Sequence, residues 1–246
     1  MDYLIERAVS TIRERYREPL SLDELAETVM VSKFHFLRTF RRVTGVTPGR
    51  FISAVRLEEA KRLLFTTSFN VSDIAAHVGY SSTGSFTRRF TESVGCSPTQ
   101  YRDLRRGGLG SGDEAVEGEA IPGTTGSISG TIHATDQSVQ AVYVGVFDSP
   151  ILERCPATRA IVTQPGSYRM TRVPSGVWYI HAVAHGAYPD DASCSSPRPL
   201  LLDTVGPVEI GPGTQLDLDL NLRPLDWARP PILLALPDLD APVAAA

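Results

Sequence analysis

The chain repeats itself. Leu25-Ala26-x-x-Val29 returns as Ile74-Ala75-x-x-Val78 after 49 residues. Phe36-x-Arg38-x-Phe40 returns as Phe86-x-Arg88-x-Phe90 after 50 residues. Gly45-Val46-Thr47-Pro48-x-x-Phe51 returns as Gly95-Cys96-Ser97-Pro98-x-x-Tyr101 at the same interval. A duplication of this kind uses one supersecondary unit twice, so both copies must read as the same local structure. Each reads as a short helix, a tight turn, a second helix, a Gly stop, and a Pro opening the next element. The one-residue change of offset falls at the turn.

Helix-start chemistry agrees. Ser21 followed three residues later by Glu24 is a capping box, and Ser72 with Asp73 is the expected start of the matching helix in copy two. Ser32 and Ser82 can each cap the second helix of their copy, and Gly45 and Gly95 stop those helices. Between the copies, Pro48 to Leu64 reads as a longer helix that buries Phe51, Val55, Ala60, Leu63 and Leu64. Two helices joined by so short a turn form a helix-turn-helix, whose second helix can enter a DNA major groove. The outer faces of the second helices favour that use. With Phe36, Phe40 and Val43 turned inward, Lys33, Phe34, Leu37, Arg38 and Arg41 are left outside. With Phe86, Phe90 and Val94 inward, Thr83, Gly84, Thr87, Arg88 and Thr91 are outside. Arginines among small polar and apolar neighbours suit base edges and thymine methyls.

Charge is split along the chain. Residues 1–106 carry 17 Arg and Lys against 12 Asp and Glu, whereas residues 107–246 carry 7 against 16, within a total of −4. A basic half fits a polyanionic partner, and an acidic half implies a separate task.

These positions together resemble the AraC/XylS family of bacterial transcription regulators. The resemblance rests on Ser32 to Phe40, Gly45-x-Thr47-Pro48, Arg56-Leu57-x-x-Ala60-x-x-Leu63-Leu64 and Val71-x-Asp73-Ile74-Ala75-x-x-Val78-Gly79-Tyr80. Phe86-x-Arg88-x-Phe90 and Gly95-x-Ser97-Pro98-x-x-Tyr101-Arg102 complete it, over residues 1–106. It implies seven helices, with two helix-turn-helix units held by the long central helix. The recognition helices would enter major-groove faces about one DNA turn, roughly 34 Å, apart. Carried over by position, the base-reading residues are Lys33, Phe34, Leu37 and Arg38 in the first unit and Thr83, Gly84, Thr87 and Arg88 in the second. Ser32, Arg41, Arg42, Ser82 and Arg89 are expected at phosphates. Two departures stand out: Met30 occupies a turn position often held by Gly, and Gly84 offers no side chain to a base. Most relatives place this reader last, so its position at the start is a third.

From Gly107 to Gly126 the chain holds seven glycines, four acids and no basic residue, which reads as a flexible linker. Period-two alternation follows. Expected strands are Ile128–Ala134, Val142–Phe147, Arg159–Thr163, Ser167–Arg172, Val177–His185, Leu200–Val205, Val208–Ile210 and Leu216–Leu222. Short strands separated by turn residues indicate an antiparallel sandwich. The run from Gly166 through Tyr168, Met170, Val173-Pro174, Gly176 and Trp178 to Ala182 resembles the hairpin of prealbumin-like, carboxypeptidase regulatory-like domains. That resemblance implies a fold more than an activity. The fold class expected is therefore an all-α double helix-turn-helix (1–106), a linker (107–126), an all-β antiparallel prealbumin-like sandwich (127–225) and a loose Pro/Ala-rich tail (226–246).

Catalytic patterns are weak. His181 and His185, about 13 Å apart on one strand face, read as sheet-surface residues too distant to chelate one metal. Cys155 and Cys194 form no activated thiol motif, and Cys96 packs where copy one has Val46. Trp178, Tyr168, Tyr143 and Phe147 read as sandwich core. The longest apolar run, Ile232–Leu236, is far too short for a membrane helix, and with no secretory leader pattern a cytoplasmic, non-enzymatic protein without cofactor or metal is expected. Its expected partners are double-stranded DNA and RNA polymerase. For the C-terminal domain the alternatives are effector sensing, homodimer or protein assembly, or autoinhibition.

Overall fold

The computed structural model describes residues 2–104, 124–134, 139, 141–186 and 200–236. Most of the expected linker, Cys194 and the end of the tail lie outside them. The described residues form two units. One comprises the N-terminal helices with Ile151–Arg154 and Asp226–Ala235; the other holds the strands.

Seven helices build the first unit: α1 (Asp2–Arg15), α2 (Leu22–Thr28), α3 (Lys33–Thr44), α4 (Pro48–Thr66), α5 (Val71–His77), α6 (Thr83–Val94) and α7 (Pro98–Leu104). The capping box on α2 is formed in both directions, with Glu24 N–H donating to Ser21 Oγ at 3.1 Å and Ser21 N–H to Glu24 Oε2 at 2.7 Å. The hydrogen bond from the Ser21 backbone holds the Glu24 carboxyl below the usual carboxylate range. Copy two departs from expectation: the cap of α5 is Asn70, not Ser72, and Asp73 N–H donates to Asn70 Oδ1 at 2.8 Å. Asn70 stands 49 residues after Ser21, so the repeat itself places it. Ser32 and Ser82 cap α3 and α6, and Gly45 and Gly95 end them at φ 79° and 92°.

Burial follows the duplication. Phe36, Phe40 and Phe51 in copy one, and Phe86, Phe90 and Tyr101 in copy two, are all at most 1% exposed. Ring separations repeat as well: 5.5 and 5.6 Å along Phe36–Phe40–Phe51, 5.6 and 5.7 Å along Phe86–Phe90–Tyr101. α4 is buried on most sides, through Phe51, Val55, Leu57, Ala60 and Leu64 among others, as befits a helix at the centre of the unit. Arg56 on α4 donates to the carbonyls of Tyr16 (2.7 Å) and Glu18 (2.8 Å), tying the α1–α2 loop to the central helix.

That loop explains the turn of copy two. Gly79 has φ +89°, and a Cβ there would lie 2.6 Å from the Arg17 carbonyl oxygen. In copy one the matching position, Met30, also takes a positive φ (57°), but it is 90% exposed and no packing forbids a side chain. The first turn therefore keeps the same handedness in spite of its missing glycine.

The tail differs from expectation. Asp226–Ala235 belongs to the helical unit, because Leu233 is 1% exposed within the helical core, with Ile151 beside it in the same cluster. A Pro-rich composition hid three leucines in Ile232–Leu236 that need burial.

The second unit contains β1 (Thr125–Ala134), β2 (Val142–Phe147), β3 (Thr158–Val162), β4 (Ser167–Pro174), β5 (Gly176–His185), β6 (Leu200–Ile210), β7 (Gln215–Asp217) and β8 (Leu220–Pro224). The strands follow the order β3-β2-β5-β6-β8-β1-β4, with β7 also on β1, and the ends β3 and β4 approach so that the sheet nearly closes. The core includes Ile128, Val144, Met170, Ile180, Ala182 and Leu220. A wholly antiparallel sandwich is not what forms: β1 pairs in parallel with β7 and β8. Side-chain alternation shows which residues face the core but says nothing about strand direction. Two boundaries moved for local reasons. Leu200–Val205 and Val208–Ile210 run together as β6 on the edge of β5. Leu216–Leu222 is broken at Leu218-Asp219, where a Cβ on Gly130 would meet the Leu218 oxygen at 2.1 Å and Asp219 Oδ1 accepts from Thr131 N–H at 2.8 Å.

Replacing Gly79 by Ala forces both a left-handed backbone on a side chain and a clash with the Arg17 carbonyl. The expected outcome is a loss of about 2–3 kcal/mol from the helical unit, read by urea unfolding followed at the helical circular-dichroism band.

Candidate nucleic-acid interface

Each second helix is held at a fixed rotation about its own axis by two buried phenylalanines one turn apart. Everything on the opposite side is consequently presented to solvent. In copy one Lys33, Phe34 and Arg38 are exposed and Leu37 is half-buried; Phe34 is 85% exposed, an unusual state for so large an apolar side chain. In copy two Thr83, Gly84 and Arg88 are exposed and Thr87 is half-buried. The residues expected to read bases therefore lie along one outer strip of α3 and one of α6, in matching positions. A Cβ at Gly84 would meet nothing within 4 Å, so the small residue leaves that strip open for close approach rather than serving internal packing.

The residues expected at phosphates divide. Arg41 and Arg42 are exposed at the end of α3. Ser32 Oγ accepts from His35 N–H at 3.4 Å and Ser82 Oγ from Ser85 N–H at 3.2 Å, so both hydroxyls close helix N-termini. The helix dipole and unsatisfied N–H groups at those ends favour an anion. Arg89 is drawn back toward the central helix, its Nε 3.3 Å from Ser53 Oγ.

Sequence reading missed the acidic partners of the strip. Lys33 Nζ lies 2.9 Å from Asp23 Oδ2, and Arg88 Nε lies 2.8 Å from Glu92 Oε1. The Arg88–Glu92 hydrogen bond raises the arginine above its ordinary value and holds the glutamate below the usual carboxylate range. Their i,i+4 spacing was the available signal. Both pairs are exposed, so they are weak and readily exchanged for other anions.

The candidate residues of the second unit are arranged otherwise. His181 is 1% exposed rather than on a surface. Its Nε2–H donates to the Ser149 carbonyl at 2.9 Å, because a carbonyl can only accept, and its Nδ1 is 2.9 Å from the Thr204 hydroxyl. Tyr168 packs in the core of the β-rich unit and donates its hydroxyl to the Leu218 carbonyl at 2.7 Å, and Trp178 Nε1 donates to Pro174 O at 2.8 Å. Tyr143 is buried too, and desolvation pushes its phenol well above the ordinary value. Cys96 is half-buried against the helical core and Cys155 is exposed. Among the described residues no three His, Cys, Asp or Glu side chains converge as a metal would need, and no described helix is long and apolar enough to cross a membrane.

Fold and strip together define a helix-turn-helix domain, and the family model described as "Helix-turn-helix domain" matches residues 25–104. Among curated proteins, the chain is 30% identical over 98 residues to the lactose operon transcription activator of Staphylococcus xylosus, covering 40% of this chain and 35% of that protein. It is 40% identical over 83 residues to the HTH-type transcriptional activator AarP of Providencia stuartii, covering 34% of this chain and 62% of that protein. In both cases the chain spans less than two thirds of the relative's length. Among solved structures it is similar to the DNA-binding domain of AdpA in complex with a target DNA, at 29% identity and a TM-score of 0.40, over 42% of this chain and 92% of that one.

Glu92→Gln removes the carboxylate that holds Arg88 and a negative charge beside the outer strip of α6. The expected result is DNA binding tightened by about two- to fivefold at low salt, with the gain shrinking as salt is raised, measured by fluorescence anisotropy.

Proposed function

We propose that this chain is a sequence-specific, DNA-binding transcription regulator in which α3 and α6 enter adjacent major-groove segments of one duplex. The observation that carries this reading is the duplicated outer strip: Arg38 and Arg88 stand at equivalent positions, both exposed, above matching buried aromatic triads. A guanidinium at that place can bond guanine O6 and N7 in a bidentate fashion. Lys33, Phe34 and Leu37 on α3, and Thr83, Gly84 and Thr87 on α6, supply the remaining base-edge contacts, with Phe34 and Leu37 suited to thymine methyls. Ser32, Ser82, Arg41 and Arg42 hold phosphates and set the register. Arg89 joins them by leaving Ser53. Because the two copies follow one another in a single chain, one molecule reads an asymmetric site without needing a palindrome.

The match of residues 25–104 to the helix-turn-helix domain, and the similarity of 98- and 83-residue stretches to transcription activators, support this assignment. The protein acts on transcription through RNA polymerase, as a binding protein rather than an enzyme. The β-rich unit serves effector sensing or assembly, consistent with an acidic composition that a DNA-contacting domain would avoid.

In vitro selection of duplex DNA by the full chain should yield one site with two conserved blocks about one helical turn apart. Arg38→Ala and Arg88→Ala should each weaken binding to that site by roughly 5- to 150-fold, with relaxed preference in one block apiece and unchanged unfolding curves. Failure to select any sequence removes the assignment. Arg41→Ala and Arg42→Ala should instead weaken all sequences alike, each lowering the slope of log affinity against log salt by about 1.

A further inference from the structure

The C-terminal end of α6 is not closed by the helix-turn-helix unit alone. An α-helix leaves its last carbonyls without partners within the helix. At the end of α6 the Val94 carbonyl accepts from Ala235 N–H at 3.1 Å, and the neighbouring Ser93 carbonyl accepts from Arg154 N–H at 2.7 Å. Two segments far along the chain thus complete the second candidate reading helix.

These segments are joined to each other and anchored on α4. Leu233 N–H and Leu234 N–H both donate to the Leu152 carbonyl, at 2.9 and 3.0 Å. Leu233 and Ile151 are buried in the helical core, with Trp227 and Ala235 packed at its edge. Lys61, only 6% exposed, donates to the carbonyls of Ile232 (3.2 Å) and Leu234 (3.1 Å) and sits 5.7 Å above the Tyr101 ring. Arg50, in the first turn of α4, forms an ion pair with Glu153, whose side chain is 4% exposed. A buried, multiply bonded lysine and a buried carboxylate with its arginine are costly to leave unmatched, so both favour the seated segments over a detached state.

We propose that Ile151–Arg154 and Asp226–Ala235 form a clasp that positions α6 for reading DNA, with Lys61, Leu233 and Glu153 as its positioning residues. Recognition by α6 then depends on chain that follows β2 and β8, whereas recognition by α3 does not. The clasp rests on the DNA-reading function proposed above, and it makes the reader more than its 80 matched residues.

The test uses the full chain in three forms: unchanged, Leu233→Ala, and the milder Lys61→Met. Backbone hydrogen exchange is read at Phe90–Val94 and, as the internal control, at Phe40–Thr44. In both variants the first set should exchange faster by about tenfold or more, and the second by less than about twofold. On a duplex selected with the unchanged chain, the cost of Arg88→Ala should fall from roughly tenfold to under about twofold in either variant, while the cost of Arg38→Ala persists. Equal acceleration at both helix ends, acceleration at neither, or an undiminished Arg88→Ala cost overturns the clasp. Should the unchanged chain select no DNA at all, the DNA-reading assignment falls, and the exchange contrast alone still decides whether α6 is held by Ile151–Arg154 and Asp226–Ala235.

Discussion

The rotation of two helices about their own axes governs what this chain presents to a partner. Phe36 and Phe40 under α3, and Phe86 and Phe90 under α6, are completely enclosed. Each pair meets a third ring, Phe51 or Tyr101, edge-on at under 6 Å. Enclosing two large side chains one turn apart leaves no freedom to turn the helix, because any rotation would expose aromatic surface and open a void. The outer strip with Arg38 or Arg88 is fixed by what lies beneath it. The same logic places Phe34 on the outer side of α3.

Around this rigid frame the electrostatics are loose. The cations of the strip rest on nearby carboxylates, Lys33 on Asp23 and Arg88 on Glu92, in pairs that water surrounds. Such pairs contribute little to stability and give way to a phosphate or a base edge without a large desolvation cost. Buried and half-buried charges in the same unit behave oppositely. Arg56, Lys61 and Glu153 are committed to carbonyls or to a partner within the fold. The distinction between exchangeable and committed charges separates candidate contact residues from structural ones more clearly than residue type does.

Most of the first unit was legible beforehand because its signals are local and occur twice. Caps, glycine stops and the three- and four-residue spacing of apolar side chains involve neighbours within a turn or two, and the duplication supplied an internal check. Where the expectation slipped, at the cap of α5, the repeat offset already pointed to Asn70. In the second unit the strands were found nearly in place, but the parallel pairing of β1 with β7 and β8, the break at Leu218-Asp219 and the burial of His181 were not. Each depends on which strand lies alongside, and alternation carries no record of that. Prealbumin-like topology likewise remains a resemblance of one hairpin.

The sequence by itself determined the paired helices of each copy, the long helix between them and the faces they bury, since these follow from hydrogen bonds and side-chain spacing within single elements. Tertiary structure alone decided that Ile151–Arg154 and Asp226–Ala235 complete the helical unit, that Lys61 is a buried donor, and that Gly79 must be glycine because the Arg17 carbonyl sits against it. The reason is range. A helix states its own geometry in the residues that form it, whereas an unsatisfied carbonyl at its end can be met by any segment the fold delivers there, however far away in the chain.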